Sequence, residues 1–132
     1  VQGRNMMPDN ARLSPILSIL IHVPDWRAAT DWYAAAFPGA ERRAHDPDDF
    51  GHLELDGVAI EIVNADHKVA SGAAGSVVYW RVENLEQQVQ RLTALGAMLY
   101  RGPLAIEGGH WICQVRDPWG NCIGLRQPGN ST

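Results

Sequence analysis

Apolar and polar residues alternate from Leu17 to Val23, with Leu17, Ile19, Ile21 and Val23 on one side and Ser18, Leu20 and His22 on the other. That period of two predicts a strand. Pro24 stops it, and Asp25 is a good N-cap for a helix running to about Phe37, with Trp26, Ala29, Tyr33 and Phe37 on one stripe. Pro38-Gly39 ends the helix. A short polar strand over Glu41 to His45 follows, then a loop rich in Asp and Pro. Phe50 to Leu55 turns at Asp56-Gly57 into Val58 to Val63, and Asp-Gly between alternating strands is a strong hairpin signal. The order is βαβββ.

Residues 64–75 are small and polar and read as a linker, after which the pattern starts again. Ser76 to Val82 predicts a strand, Asn84 an N-cap, and Leu85, Val89, Leu92 and Leu95 the stripe of a second helix ended by Gly96. A strand over Met98 to Arg101, a loop containing Gly102-Pro103 and Gly108-Gly109, and a hairpin from His110 to Arg126 complete a second βαβββ. Val23 superposes on Val82, Asp25 on Asn84 and Trp26 on Leu85, an offset of 59. The chain is an internal duplication. We expect a tail over 1–15 without function and a single α+β domain over 16–128, built of modules 16–63 and 76–128.

Composition adds exclusions. Fifteen acidic and eleven basic residues give a net charge of −4, with no Lys/Arg cluster to track a phosphate backbone, so nucleic acid is not an expected partner. The longest apolar run, Ile16 to Ile21, is far too short to span a bilayer, and no signal peptide or lipidation site is read. In a hairpin centred on Trp119, Cys113 opposes Leu125 and Cys122 opposes Arg116, so the thiols point to opposite faces. No disulfide is expected, and a reducing, cytoplasmic setting follows.

The hairpin turn is Arg116-Asp117-Pro118-Trp119-Gly120-Asn121, in which Pro118 presets φ and Gly120 can take φ > 0. Asp-Pro-x-Gly-Asn before the last strand, in register with a duplicated βαβββ and two strand-Val-x-Asp/Asn-helix openings, resembles the vicinal oxygen chelate superfamily. That group includes glyoxalase I, bleomycin-resistance proteins, fosfomycin-resistance enzymes and extradiol dioxygenases. The resemblance covers about residues 16–128. It implies curved mixed sheets around a concave cleft, with helices on the outer side.

Strand parity then divides the side chains. Leu17, Ile19, Ile21, Leu53, Leu55, Val58, Ile60, Ile62, Val78, Trp80, Val82, Cys113, Val115, Ile123 and Leu125 are expected under the helices, with Trp26 and Trp111 beside them. The cleft receives Ser18, Leu20, His22, His52, Glu54, Glu61, Val77, Tyr79, Arg81, Ile112, Gln114, Arg116, Cys122, Gly124 and Arg126. Trp119 sits in the turn, exposed or against a second subunit, and His110 in a solvated loop or a flap.

Metal-dependent members of the superfamily draw four ligands from the first and last strand of each module. Those places hold Ser18, Glu61, Val77 and Gly124, and only Glu61 is a competent ligand. No metal and no cofactor are expected, and Gly124 is read as open space beside Gln114. His52 should lie directly opposite Glu61, about 5 Å apart at Cβ. The two are read as a polar pair lining the cleft, as a carboxylate–imidazole dyad, or, with His22 or Glu54, as a displaced metal site. Arg81 and Arg126 either orient an anionic ligand or pair with Glu54 or Glu61. Tyr79 is the aromatic surface for a flat ligand. The expectation is a metal-independent small-molecule-binding protein, of sequestering or resistance type and homodimeric. The alternative is a lyase or isomerase, or a metal-dependent enzyme, using Glu61 and His52.

Overall fold

The computed structural model describes residues 16–45, 47–67, 70–72 and 77–129. The expected tail, parts of the 64–75 linker, and Ser76 lie outside them. The first module is β1 (Ser18–Val23), α1 (Trp26–Ala36), β2 (Glu41–Arg42), β3 (Gly51–Leu55) and β4 (Val58–Asn64). The second is β5 (Tyr79–Arg81), α2 (Leu85–Ala94), β6 (Met98–Ala105), β7 (Trp111–Arg116) and β8 (Cys122–Gln127). Each module forms its own four-stranded mixed sheet, ordered β1-β4-β3-β2 and β5-β8-β7-β6, and neither closes into a barrel. Among the described residues no helix is long and apolar enough to cross a membrane.

The duplication reaches down to single hydrogen bonds. Asp25 caps α1 by accepting from the Arg27 N–H, and Asn84 caps α2 by accepting from the Gln87 N–H. The first free amide of each helix donates to an amide side chain at the end of the parallel neighbour strand, Trp26 to Asn64 Oδ1 at 2.9 Å and Leu85 to Gln127 Oε1 at 2.7 Å. Helix starts and strand ends are thereby pinned together in both halves.

Strand parity holds in the core. Val23, Leu53, Ile60, Ile62, Cys113, Val115, Ile123 and Leu125 are buried beneath the helices, joined by Ala29, Tyr33, Leu85 and Leu92. This is one core shared by both modules, because the helix-bearing faces of the two sheets turn toward each other. Phe37 on α1 packs on Trp80 of β5 with ring centroids 4.8 Å apart, and Arg91 on α2 donates to the carbonyls of Ala35 and Ala36 at the end of α1. The α1 helix has no basic residue in its own last turn, so Arg91 supplies the charge its C-terminus favours. Gly51 lets α1 lie close: a Cβ there would fall 1.8 Å from the Thr30 hydroxyl oxygen.

Several expectations are corrected. Leu17 and Val78 are exposed, because they lie at strand ends beyond helix cover. Trp111 is 43% exposed at the far end of β7. Trp119 packs edge-on against Trp32 of its own chain. The β2 strand stops at Arg42, and β5 covers only Tyr79–Arg81. The β6 strand runs through Gly102-Pro103 instead of ending at Arg101, since register shifts against β7 absorb the extra residues and Pro is tolerated on an edge.

The turn of the last hairpin is the joint between modules. Asp117 Oδ1 accepts from the Trp119 and Asn121 amides, and Oδ2 from the buried Tyr33 hydroxyl of α1 at 2.5 Å. Asn121 reaches across in turn, its Nδ2 donating to the His22 carbonyl. Burial raises the Tyr33 pKa well above its usual 10.0, with the charge and hydrogen bond of Asp117 adding to it.

Tyr33→Phe should therefore lower stability by about 1.5–3 kcal/mol near neutrality, since it strands a buried carboxylate oxygen. Because folding raises this pKa, the contribution of the protonated phenol is complete below about pH 10 and is lost as pH climbs above it. Urea unfolding across alkaline pH should show a steeper fall for the natural chain than for Tyr33→Phe; identical alkaline slopes would count against the joint.

Candidate functional site

On each sheet the face away from the helices is open and polar, and the cleft side chains assigned by parity stand there. In the first module His52 is paired in register with Glu61, and Leu20 with Glu61 on the other side, so all three share that face with Ser18 and His22. In the second, Gln114 is opposite Gly124, Arg116 opposite Cys122, and Tyr79 and Arg81 lie beside Gly124 and Arg126.

The His52 ring is engaged elsewhere than at Glu61. Its Nε2 lies 3.2 Å from Glu54 Oε2, two residues along the same strand face, and its Nδ1 lies 2.5 Å from His45 Nε2. With Glu54 as the carboxylate, neutral His52 donates through Nε2 and accepts from His45 through Nδ1. His45 also packs on Phe50, ring centroids 4.2 Å apart. Glu54, His52 and His45 thus form a chain in which the two contacts use opposite sides of one imidazole. Sequence reasoning missed His45, because it was read as the last residue of a strand that in fact stops at Arg42.

The floor of the second cleft overturns the open space expected beside Gly124. A Cβ at Gly124 would lie 2.6 Å from Tyr79 Cδ1 and within 2.9 Å of two more ring carbons, so the Tyr79 ring lies on the glycine. The Tyr79 hydroxyl accepts from Gln114 Nε2 at 2.7 Å, which leaves its own O–H to donate into the cleft. Cys122 lies 3.8 Å from Gln114 Oε1. Burial raises the Cys122 thiol, with Arg116 opposing and Asp117 reinforcing, and burial raises Cys113 as well. Both stay protonated near neutrality, and neither is in a disulfide.

The superfamily's metal does not fit this residue set. Ser18 and Val77 bring no ligand of the required kind, Glu61 is the one carboxylate among the four places, and the fourth place is covered by an aromatic ring. Among the described residues no group of three or more His, Cys, Asp and Glu side chains is placed to hold a metal ion. The Glu54–His52–His45 chain is no exception, since its donors do not converge on one point.

The two faces carry opposite charge. Glu54 and Glu61 dominate the first, with Glu41 opposite Glu54, and Arg43 at its edge is paired with Glu41 at 2.8 Å. Arg81, Arg101, Arg116 and Arg126 stand on the second, with Arg81 and Arg126 in register and so next to each other. Neither arginine reaches Glu54 or Glu61; Arg81 approaches exposed Glu83 at 3.7 Å. Arg116 is occupied, lying over the Tyr100 ring and donating to the Gly120 carbonyl. Between the modules a cavity of about 230 Å³ is lined by β1, Tyr33, Phe37, Trp80 and Cys122.

Gly124→Ala should cost about 1–3 kcal/mol, because the added methyl must displace the Tyr79 ring. Adding Tyr79→Ala should recover much of that loss, a coupling of about 0.5–3 kcal/mol in a double-mutant cycle followed by urea unfolding. Additive losses would mean that the ring and the glycine do not compete for one space.

The computed fold matches several solved structures. One is a glyoxalase/bleomycin resistance protein/dioxygenase family enzyme from Burkholderia phytofirmans PsJN, at 17% identity and TM-score 0.70 over 87% of this chain and 99% of that one. Another is lactoylglutathione lyase from Agrobacterium tumefaciens, at 16% identity and TM-score 0.66 over 87% and 94%. A third is TioX from Micromonospora sp. ML1, at 20% identity and TM-score 0.65 over 87% and 99%. No curated protein matches the sequence. A model of the glyoxalase-like domain matches residues 18–125, nearly the whole duplicated unit. Two βαβββ modules, their register and this match agree that the chain belongs to the glyoxalase-like domain family, within the vicinal oxygen chelate superfamily.

Proposed function

We propose that this chain is a small-molecule-binding protein that works without the superfamily's metal, of sequestering or resistance type, in a reducing, cytoplasmic setting. The observation that carries the reading is the Tyr79 ring lying on Gly124. It puts a flat apolar surface and an outward hydroxyl where metal-dependent relatives place a carboxylate. An aromatic floor with a few directed polar groups suits binding of an organic ligand.

Each cleft is open in a single chain, because the helix-bearing faces use each other as cover. A second copy is the occupant that charge favours: the acidic face of one chain's first module meets the basic face of the other's second, and two-fold symmetry makes that contact twice. The homodimer would enclose two equivalent clefts. Light scattering across ionic strength should find a dimer at low salt that weakens as salt rises. A monomer under all conditions would remove this arrangement.

A second reading rests on the Glu54–His52–His45 chain. A carboxylate that orients one imidazole, which in turn accepts from another, is a unit able to pass on a proton, as a lyase or isomerase acting beside a carbonyl requires, with Glu61, the register partner of His52 on the same face, as the base that takes the substrate proton. Elemental analysis of protein purified without chelator or metal-affinity steps, together with an assay for turnover of carbonyl substrates, separates the readings. The binding reading expects well under one metal per chain and no turnover of carbonyl substrates. Stoichiometric metal, or turnover abolished by Glu61→Gln, would overturn it.

A further inference from the structure

We propose that the second module's cleft contains an oxyanion subsite, formed by Arg81, Arg126 and His110 beside Tyr79, which takes the carboxylate or phosphonate end of an aromatic ligand. The inference rests on the small-molecule reading above and deepens it.

Arg81 and Arg126 are register partners on neighbouring parallel strands, so their side chains leave the same face side by side. Like charges so placed repel, and proteins ordinarily set a carboxylate between them. Here the nearest acid is Glu83, 3.7 Å from the Arg81 Nε and itself almost wholly in water. The Arg126 side chain has no ion pair or hydrogen bond among the described residues. An anion held between the two guanidiniums would relieve the repulsion and accept several N–H groups at once.

The third group is His110, which sequence reasoning had left in a solvated loop or a flap. It is half-buried instead, and among the described residues its Nδ1 is buried without a hydrogen-bond partner. Buried polar nitrogens rarely stay unsatisfied, and the His110 ring also borders the cavity beside the two arginines. The imidazole is held there by glycines: a Cβ at Gly108 would fall 2.9 Å from its ring, and one at Gly129 would fall 2.2 Å from the Gly108 carbonyl oxygen. Both contacts fix the 108–110 turn against the end of the last strand.

These groups line one cavity of about 310 Å³, formed by Tyr79, Arg81, His110, Arg126 and Pro128. Its cationic walls meet the Tyr79 ring, whose hydroxyl accepts from Gln114 and keeps its own O–H to donate. The chemistry that satisfies all of this is an oxyanion joined to a flat body.

Benzoate, phenylphosphonate and neutral benzamide are the probes, titrated into the full chain at millimolar concentration and followed by NMR of the Tyr79 and His110 side chains. Benzoate or phenylphosphonate should bind at least about tenfold tighter than benzamide, and Arg126→Gln should bring the three to within about twofold. Whichever anion binds tighter identifies the headgroup. Circular dichroism and the unfolding midpoint of Arg126→Gln, an exposed position, check that the variant is folded. Benzamide binding as tightly as the anions, or an anion preference surviving Arg126→Gln, would overturn the subsite while leaving a ligand-binding cleft. Binding of none of the three would overturn the subsite and count against the cleft itself.

Discussion

One carboxylate holds this molecule in its shape. Asp117 closes the last hairpin through one oxygen and grips the Tyr33 hydroxyl through the other, so the geometry of the turn and the docking of the modules are a single requirement. Such a group is costly to bury unless both oxygens are hydrogen-bonded, and here three donors reach them. With the joint in place, Phe37 finds Trp80, Trp32 finds Trp119, and Arg91 reaches the end of α1. Both concave faces are left pointing outward as a result. Fold and site are therefore linked: the contact that builds the shared core also decides which surfaces remain for a ligand or a second chain.

Much of this was legible in the sequence, for identifiable reasons. Strand parity placed the core and cleft residues because a period of two admits only two faces, and the Asp56-Gly57 and Asp117–Asn121 turns fixed the registers of both hairpins. The module offset predicted paired N-caps, and both are present. What sequence missed depended on side chains meeting across the chain. Trp119 was left exposed or against a second subunit because nothing local shows that Trp32 of the same chain meets it. The space beside Gly124 looked empty because parity says which way Tyr79 points without saying that its ring lies down on the neighbouring strand. A signal did exist for the joint: Tyr33 is the one hydroxyl-bearing aromatic on the stripe of α1, and a buried phenol needs a partner.

The two halves began from one pattern and now carry different chemistry. Their backbones still repeat, down to Asn64 and Gln127 receiving the first amide of each helix. Their open faces have separated into an acidic, imidazole-bearing surface and a basic, aromatic one. Duplication supplies two scaffolds at once, and only positions free of core packing can diverge without unfolding either.

Position 124 gives that divergence a direction in evolutionary time. Once Tyr79 has lain down on the glycine, a lineage cannot recover a metal ligand by mutating that codon alone, since any side chain meets the ring first. The neighbouring tyrosine would have to go beforehand, at the expense of the surface it provides. The glycine and tyrosine together act as a ratchet: a side chain at 124 must wait for the ring to leave.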